Sequence, residues 1–185
     1  LIVALLLTMA SSLILGMGLP TAAAYILVAT LTAPALVTMG VDLMAAHMFV
    51  FYSAMLSSIT PPVALAAFAA AAISREPPMR VAMISVKYGF VAFLLPYFFV
   101  LEPRLLLMGT LGEAIGVFLM AAIGIITLAC VLQGYALGSL SWLTRTVLAV
   151  ASLCLLMPEI SLKIIGIAII LAILIAWKIG QTLKK

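Results

Sequence analysis

The sequence predicts an all-α polytopic membrane protein with a re-entrant hairpin, a broken transmembrane helix and additional C-terminal transmembrane helices. Apolar residues make up 68% of the chain and charged residues only 8%, whereas soluble domains carry roughly 25% charged residues. Long apolar runs recur along the sequence, and Gly/Pro segments interrupt two of them, at 16–21 and 57–62. This composition excludes an ordinary soluble domain and makes a lipid bilayer the surrounding medium.

The first interrupted run predicts the hairpin. An apolar arm over 1–15 precedes the motif GMGLPT at 16–21, and a second arm continues to about Leu31. A full span needs about 20 apolar residues, so two shorter arms around a Gly/Pro tip favour a re-entrant hairpin. We therefore expect a hairpin over 1–33 that ends at Pro34 and the following turn, MGVD, at 39–42.

The second interrupted run predicts a broken helix over 43–74. Its first half covers 43–56, the break SSITPP follows, and an alanine-rich half resumes at Val63. Together the hairpin and the broken helix form a transport-domain half over 1–74. A basic loop and the next transmembrane helix, which contains Pro96, occupy 75–104, and further helices fill the C-terminal part. The spans expected within 105–185 are 111–132, 147–156 with its flanks, and 164–177.

The loop charges give an orientation. Basic residues concentrate on the cytoplasmic side of membrane proteins. If the loop at 75–80 is cytoplasmic, alternating spans place Arg145, Lys178, Lys184 and Lys185 on the same side. The chain carries a net charge of +4, and its basic residues flank apolar spans rather than forming a nucleic-acid-binding surface. The C-terminus is thus expected in the cytoplasm. The opposite side receives Asp42, Glu102, Arg104, Glu113, Glu159 and Lys163.

The two breaks have the chemistry of a sodium site. Na⁺ is a hard cation that prefers oxygen ligands, and interrupted membrane helices supply backbone carbonyls for such ions. Glycines permit unusual backbone angles, prolines remove amide donors, and the neighbouring Ser and Thr residues add hydroxyl oxygens. The alternative is that Gly and Pro merely kink packed helices. The residues that we predict to bind Na⁺ are Gly16, Gly18, Thr21, Ser58, Thr60 and Pro61.

Sodium coupling is favoured over proton coupling because no Asp or Glu lies deep within a span. Proton relays use intramembrane Asp, Glu or His, and only His47 qualifies, for which we favour a structural or interfacial role. Cys130 and Cys154 lie in apolar runs without a Cys/His cluster. We therefore expect no metal other than Na⁺ and no organic cofactor.

The order of several short motifs resembles one transporter family. The chain reads GMGLPTAAAY at 16–25, APAL at 33–36, GV at 40–41, AHMFVFY at 46–52 and ITPPVA at 59–64. This series is similar to the large membrane subunit of TRAP (tripartite ATP-independent periplasmic) transporters, specifically the C-terminal part of TAXI-type fused permeases. Where many relatives have glycine after the Pro-Pro-Val, this chain has Ala64, which we expect to tighten the following helix slightly.

The resemblance implies an elevator-type ion-transporter fold of two inverted repeats, of which this chain holds the second. It implies Na⁺-driven import of an organic acid, either a dicarboxylate or an amino acid, across a bacterial or archaeal inner (cytoplasmic) membrane. The implied partners are a periplasmic substrate-binding protein, the missing N-terminal repeat, and a small membrane subunit or its fused equivalent. The substrate would contact Pro20, Thr21, Thr60 and Pro62.

Other readings remain open. A secondary transporter of similar architecture could use protons or work without a binding protein. An intramembrane serine protease would need His47 to meet Ser57 or Ser58, yet His47 and Ser58 would lie about 16 Å apart along a straight helix. An aspartyl enzyme would need a second carboxylate near Asp42. A structural subunit would leave both breaks without a role.

Overall fold

The computed structural model describes residues 1–136 and 138–182, with side chains as far as residue 177. Over this part of the chain eight α-helices and no β-strand form, which confirms the predicted all-α fold. Four helices are long and apolar enough to cross a membrane, so the chain is a polytopic membrane protein. Lys178, Lys184 and Lys185, on which part of the orientation depends, lie outside the described side chains. The four spans are Thr21–Thr38, Pro78–Leu101, Leu111–Gln133 and Ile160–Trp177.

The chain forms two compact units, Leu1–Leu106 and Leu107–Lys185. The helices of the first unit are α1 (Ile2–Leu15), α2 (Thr21–Thr38), α3 (Leu43–Leu56), α4 (Leu65–Ser74) and α5 (Pro78–Leu101). The central helix α3 packs against α1, α2 and α5, while α4 packs against α5. Phe49 and Val50 of α3 are fully buried, and the Phe49 ring meets the Tyr97 ring edge-on at 5.2 Å. Burial of this apolar face stabilises α3 between its neighbours.

The end of α2 differs from the prediction. Pro34 lies inside the helix, which continues to Thr38, so Pro34 does not end the hairpin, whereas the expected turn at 39–42 does. Transmembrane helices tolerate proline because side chains and local adjustments satisfy the freed backbone groups. The true stop is Gly40, whose φ of 88° permits Val41 N–H to donate to the Leu36 carbonyl. That bond is the long-range bond of a Schellman motif, which suits glycine.

The start of α4 also shifts from its expected position, and α5 begins within the expected segment 75–104. The broken helix resumes at Leu65 rather than at Val63, because Ala64 adopts a left-handed conformation with φ 33° and ψ 55°. Ala64 therefore precedes α4 and lies outside it, whereas the sequence analysis expected Ala64 to tighten this helix. Helix α5 begins at Pro78, two residues after the loop acid Glu76, because proline suits the first turn of a helix.

The second unit contains α6 (Leu111–Gln133), α7 (Trp142–Leu156) and α8 (Ile160–Thr182). Helix α7 packs against both α6 and α8. Thr110 and Glu113 form a capping box at the start of α6. At its end, the Arg145 Nε donates to the Val131 carbonyl at 2.9 Å. This bond satisfies one of the carbonyls that a helix C-terminus leaves unpaired.

Candidate functional site

The first break separates α1 from α2 over residues 16–20. Helix α1 ends at Leu15, and the chain turns through Gly16 and Gly18 before α2 begins at Thr21. Gly18 has a φ of 77°, which is a conformation that side-chain-bearing residues rarely adopt. Pro20 is the N-cap of α2 and offers no amide proton at a position where a helix needs none. The predicted break is thus confirmed in position.

The second break separates α3 from α4. Helix α3 ends at Leu56, a 3₁₀ turn covers Ser57–Ile59, and irregular backbone follows until α4 begins at Leu65. The Pro61–Pro62 peptide bond within it is cis. Two consecutive prolines cannot donate backbone hydrogen bonds, so α3 cannot continue into α4. The position of this break also agrees with the sequence pattern.

The two breaks lie against each other. Gly16 is buried, and a Cβ placed on it would lie 2.7 Å from the Ser57 Oγ and 3.1 Å from the Ala54 carbonyl. Gly18 approaches the far side of the second break, where a Cβ would lie 3.6 Å from Val63 Cγ1. The hairpin tip therefore packs along the C-terminal end of α3 and the loop after it.

The hydroxyl groups of the second break point their protons back at α3. The Ser57 Oγ donates to the Ala54 carbonyl at 2.6 Å, and the Ser58 Oγ donates to the Met55 carbonyl at 2.8 Å. The Thr60 Oγ1 donates to the Leu56 carbonyl at 2.7 Å. A hydroxyl that has given its proton keeps two acceptor lone pairs. These three oxygens therefore keep lone pairs that can accept a hydrogen bond or bind a cation.

Four helix ends meet at the breaks. Helices α1 and α3 end there, and α2 and α4 begin there. A helix C-terminus carries a partial negative charge and a helix N-terminus a partial positive charge. The first break and the second break therefore each combine an end that favours a cation with an end that favours an anion.

The predicted site residues occupy different environments in these breaks. Gly16 is buried, whereas Ser58, Thr60 and Pro61 are partly buried. The structure brings Gly16 and Gly18 to the second break, as described above. Among the described residues, no hydrogen bond joins Thr21 to Thr60. The exposed members of the predicted set are Gly18, Pro20, Thr21 and Pro62.

Sequence reasoning missed two contributors to this region. Ser57 was recognised as a hydroxyl of the break, but it was left out of the predicted ligands although it contacts the hairpin tip. Ala64 was not expected to adopt a left-handed conformation. Its position directly after Pro-Pro-Val, where glycine was expected from the resemblance, was the signal that could have revealed it. The contact of Ser57 had no local signal, because it depends on how α1 packs against α3.

His47 has a structural partner. Its Nδ1 lies 2.9 Å from the Tyr25 hydroxyl, so the pair connects α3 to α2. Ser57 and Ser58 donate to carbonyls at the end of α3, as given above, rather than to an imidazole. This geometry supports the structural reading of His47 over a serine–histidine catalytic pair. Asp42 also has a local role, because its carboxylate accepts from Met44 N–H at 2.7 Å and caps α3.

The fold and the breaks together define a polytopic helical membrane protein whose hairpin tip meets an interrupted helix. The family model described as "Tripartite ATP-independent periplasmic transporter, DctM component" matches residues 1–114. The chain belongs to this family, which confirms the resemblance to the TRAP large membrane subunit. No curated protein and no solved structure gives a significant match.

Membership establishes the general function. The chain is part of the permease of a TRAP secondary transporter, and the family is a transporter component rather than an enzyme family. It works in a membrane, and the family implies a periplasmic binding protein and other subunits. The matched segment includes all of the first unit and therefore both breaks.

Proposed function

We propose that residues 1–106 form half of the transport domain of a Na⁺-coupled, binding-protein-dependent importer of organic acids. The observation that carries this proposal is the contact between the two breaks at Gly16 and Ser57. Unwound backbone in a membrane protein is tolerated where it is buried in protein or lines a cavity. Two such segments that share one contact are well suited to form a single binding region.

Sodium would bind at the cation-favouring side of this region. The Ser58 and Thr60 oxygens present acceptor lone pairs near the C-terminus of α3, because their protons are already committed to α3 carbonyls. From the hairpin, Gly16 lies against Ser57 and Gly18 approaches Val63, and their backbone would supply further oxygens together with the Thr21 hydroxyl. Pro61 keeps the backbone after Thr60 irregular. Neutral oxygens in this number suit Na⁺, which needs no carboxylate to bind.

The carboxylate of the substrate would bind at the helix N-termini. The first amides of α2, after Pro20, have no partner within the helix and lie at exposed positions. Backbone N–H groups at a helix N-terminus bind anions readily. Thr21, Thr60 and Pro62 would line the bound substrate. Binding of Na⁺ next to the anion would lower the electrostatic cost of bringing a carboxylate into the membrane and would thereby couple the two.

The remaining parts of the proposal follow the family. The permease would be of the TAXI-type fused form and would move this region as an elevator against a fixed scaffold. A first inverted repeat would complete the site, and a periplasmic protein would deliver the dicarboxylate or amino acid. The membrane would be a bacterial or archaeal inner membrane, with the C-terminus in the cytoplasm.

Uptake into proteoliposomes tests this proposal. The complete permease would be assayed with radiolabelled C4-dicarboxylates and acidic amino acids, with and without an inward Na⁺ gradient and with and without the binding protein. We expect uptake only when both are present. Uptake driven equally by a proton gradient without Na⁺ would overturn sodium coupling. Uptake without the binding protein would overturn dependence on that partner.

A further inference from the structure

A cavity of about 430 Å³ lies among the three helices of the second unit. Ligand pockets in proteins typically measure about 300–1,000 Å³. Its wall comes from α6, α7 and α8 together with residues 136 and 138–141 between α6 and α7. All of its lining residues lie beyond residue 114, where the family match ends. The transport proposal therefore gives the cavity no role.

The cavity is apolar along its length and polar at one end. Aliphatic side chains from all three helices line its body, including Ile126, Leu148 and Ile173. The polar end carries the hydroxyls of Ser139, Ser141 and Thr144. The segment of α8 from Ile170 to Trp177 borders the cavity and extends about 10 Å at 1.5 Å per residue. The space is thus an apolar cleft with three hydroxyl groups at one end.

Aromatic residues at the polar end indicate that it lies at a membrane–water interface. Both tryptophans of the chain, Trp142 and Trp177, lie at this end of the helices, and Trp142 is 77% exposed. Tyr135 nearby is 62% exposed. Amphipathic aromatic rings collect at the level of the lipid headgroups. The body of the cavity therefore extends from the headgroup level toward the hydrocarbon.

Positive charge also gathers at this end. Arg145 lies one residue after Thr144, and its guanidinium donates to the Val131 and Leu132 carbonyls at the end of α6, which holds its charge next to the cavity end. The N-terminus of α7 lies here too, with the Ser141 hydroxyl accepting from Thr144 N–H. A helix N-terminus and a guanidinium both attract phosphate.

We propose that this cavity holds one acyl chain of a membrane glycerophospholipid, with the phosphate at the polar end beside Ser141, Thr144 and Arg145. Helices α6 and α8 are candidate spans, so the medium around the cavity is lipid. A void in such a place would lose dispersion contacts along its wall, and an acyl chain restores them. The hydroxyls and the arginine at one end match a phosphate headgroup, and the aliphatic body matches an acyl chain.

Photolabelling tests the position of the acyl chain. The intact chain would be placed in nanodiscs of phosphatidylethanolamine and phosphatidylglycerol that contain a tracer phosphatidylglycerol with a diazirine in one acyl chain. After illumination, peptide mass spectrometry would locate the adducts. Ile126 and Phe118 of α6 are both 64% exposed, but only Ile126 lines the cavity. We expect labelling at Ile126 to exceed that at Phe118 several-fold, and equal labelling would overturn the proposal.

Two matched pairs of variants separate the cavity from general contact with lipid. Ile173→Trp fills the cavity, whereas Leu171→Trp adds the same ring at an exposed position on α8 that does not line it. Only Ile173→Trp should lower labelling at Ile126 several-fold. Labelling at Phe118 should stay the same in both variants, which shows that the protein is folded. Ser139→Asp should repel the phosphate and reduce labelling, whereas Ser139→Asn should not. An equal effect of both members of either pair would overturn the assignment.

Discussion

Gly16 and Ser57 are in contact across the two breaks, and the contact leaves no room for a side chain at Gly16. A Cβ there would lie 2.7 Å from the Ser57 Oγ and 2.9 Å from the Ser12 carbonyl. Real Cβ atoms do not approach other atoms so closely, so either the hairpin or the end of α3 would have to move. The Ser57 hydroxyl is itself held by its bond to the Ala54 carbonyl at 2.6 Å. The hairpin tip is therefore positioned by backbone packing.

Gly16→Ala should destabilise the first unit and impair transport. Overpacking of a tight contact costs about 1–3 kcal/mol, and the displaced hairpin would carry its part of the binding region with it. Thermal unfolding of the detergent-purified protein would measure the first effect and proteoliposome uptake the second. Gly116→Ala is the matched control, because no atom lies within 4 Å of a Cβ placed there. Equal behaviour of the two variants would contradict the close contact.

The sequence predicted the positions of the breaks and one ion site shared between them, but not which of their residues are in contact. Gly and Pro interrupt helices by local backbone chemistry, so 16–20 and the segment around Pro61–Pro62 could be located directly. The approach of Gly16 to Ser57 depends on the packing of α1 against α3, which has no local signal. At Pro34 the local rule failed: proline commonly ends helices in water, but here it lies inside α2.

Conformations and contacts of single residues that depend on tertiary packing are harder to predict than the lengths of the helices. The apolar lengths of α6 and α8 follow from composition, because a helix in lipid must satisfy its own backbone. The left-handed conformation of Ala64 is imposed by its surroundings, since alanine alone disfavours it. The bond between Tyr25 and His47 joins residues 22 apart in the sequence and depends on how α2 packs against α3.

Thr60→Ala should weaken the dependence of uptake on Na⁺. The Thr60 Oγ1 donates to the Leu56 carbonyl at 2.7 Å, and its lone pairs would bind the ion. Loss of one such ligand, at about 1–2 kcal/mol, would raise the Na⁺ concentration for half-maximal uptake by roughly tenfold. Uptake as a function of Na⁺ concentration would measure it, and Thr60→Ser, which keeps the hydroxyl, should remain near the parent value.

The result for Thr60→Ala has a clear contrary outcome. Unchanged sodium dependence in a folded Thr60→Ala protein would remove Thr60 from the proposed site. Gly18→Leu is a weaker test of this region, because the φ of 77° at Gly18 strains any side-chain-bearing residue. We expect Gly18→Leu to reduce stability together with Na⁺ dependence, which thermal unfolding would reveal.

Ala64→Gly and Ala67→Gly should have different effects on stability although both alanines are buried in the same cluster. Ala67 lies inside α4, where glycine is about 1 kcal/mol less favourable than alanine. Ala64 has a φ of 33°, and glycine there relieves about 1–2 kcal/mol of steric strain, which offsets the lost methyl contact. Thermal unfolding should therefore show Ala67→Gly to be clearly less stable than Ala64→Gly, and the reverse order would contradict the left-handed conformation.

The bond between Tyr25 and His47 should couple the two residues energetically without driving transport. The Tyr25 hydroxyl lies 2.9 Å from His47 Nδ1, and the Tyr25 ring also meets the Phe51 ring at 5.6 Å. Tyr25→Phe removes the hydroxyl but keeps this ring contact. A double-mutant cycle with His47→Ala, read by thermal unfolding, should give a coupling of about 0.5–1.5 kcal/mol. A coupling near zero would contradict the bond. His47→Ala should retain Na⁺-driven uptake, and a loss of uptake in a folded His47→Ala protein would favour the proton-coupled alternative, because His47 is the only histidine in the chain.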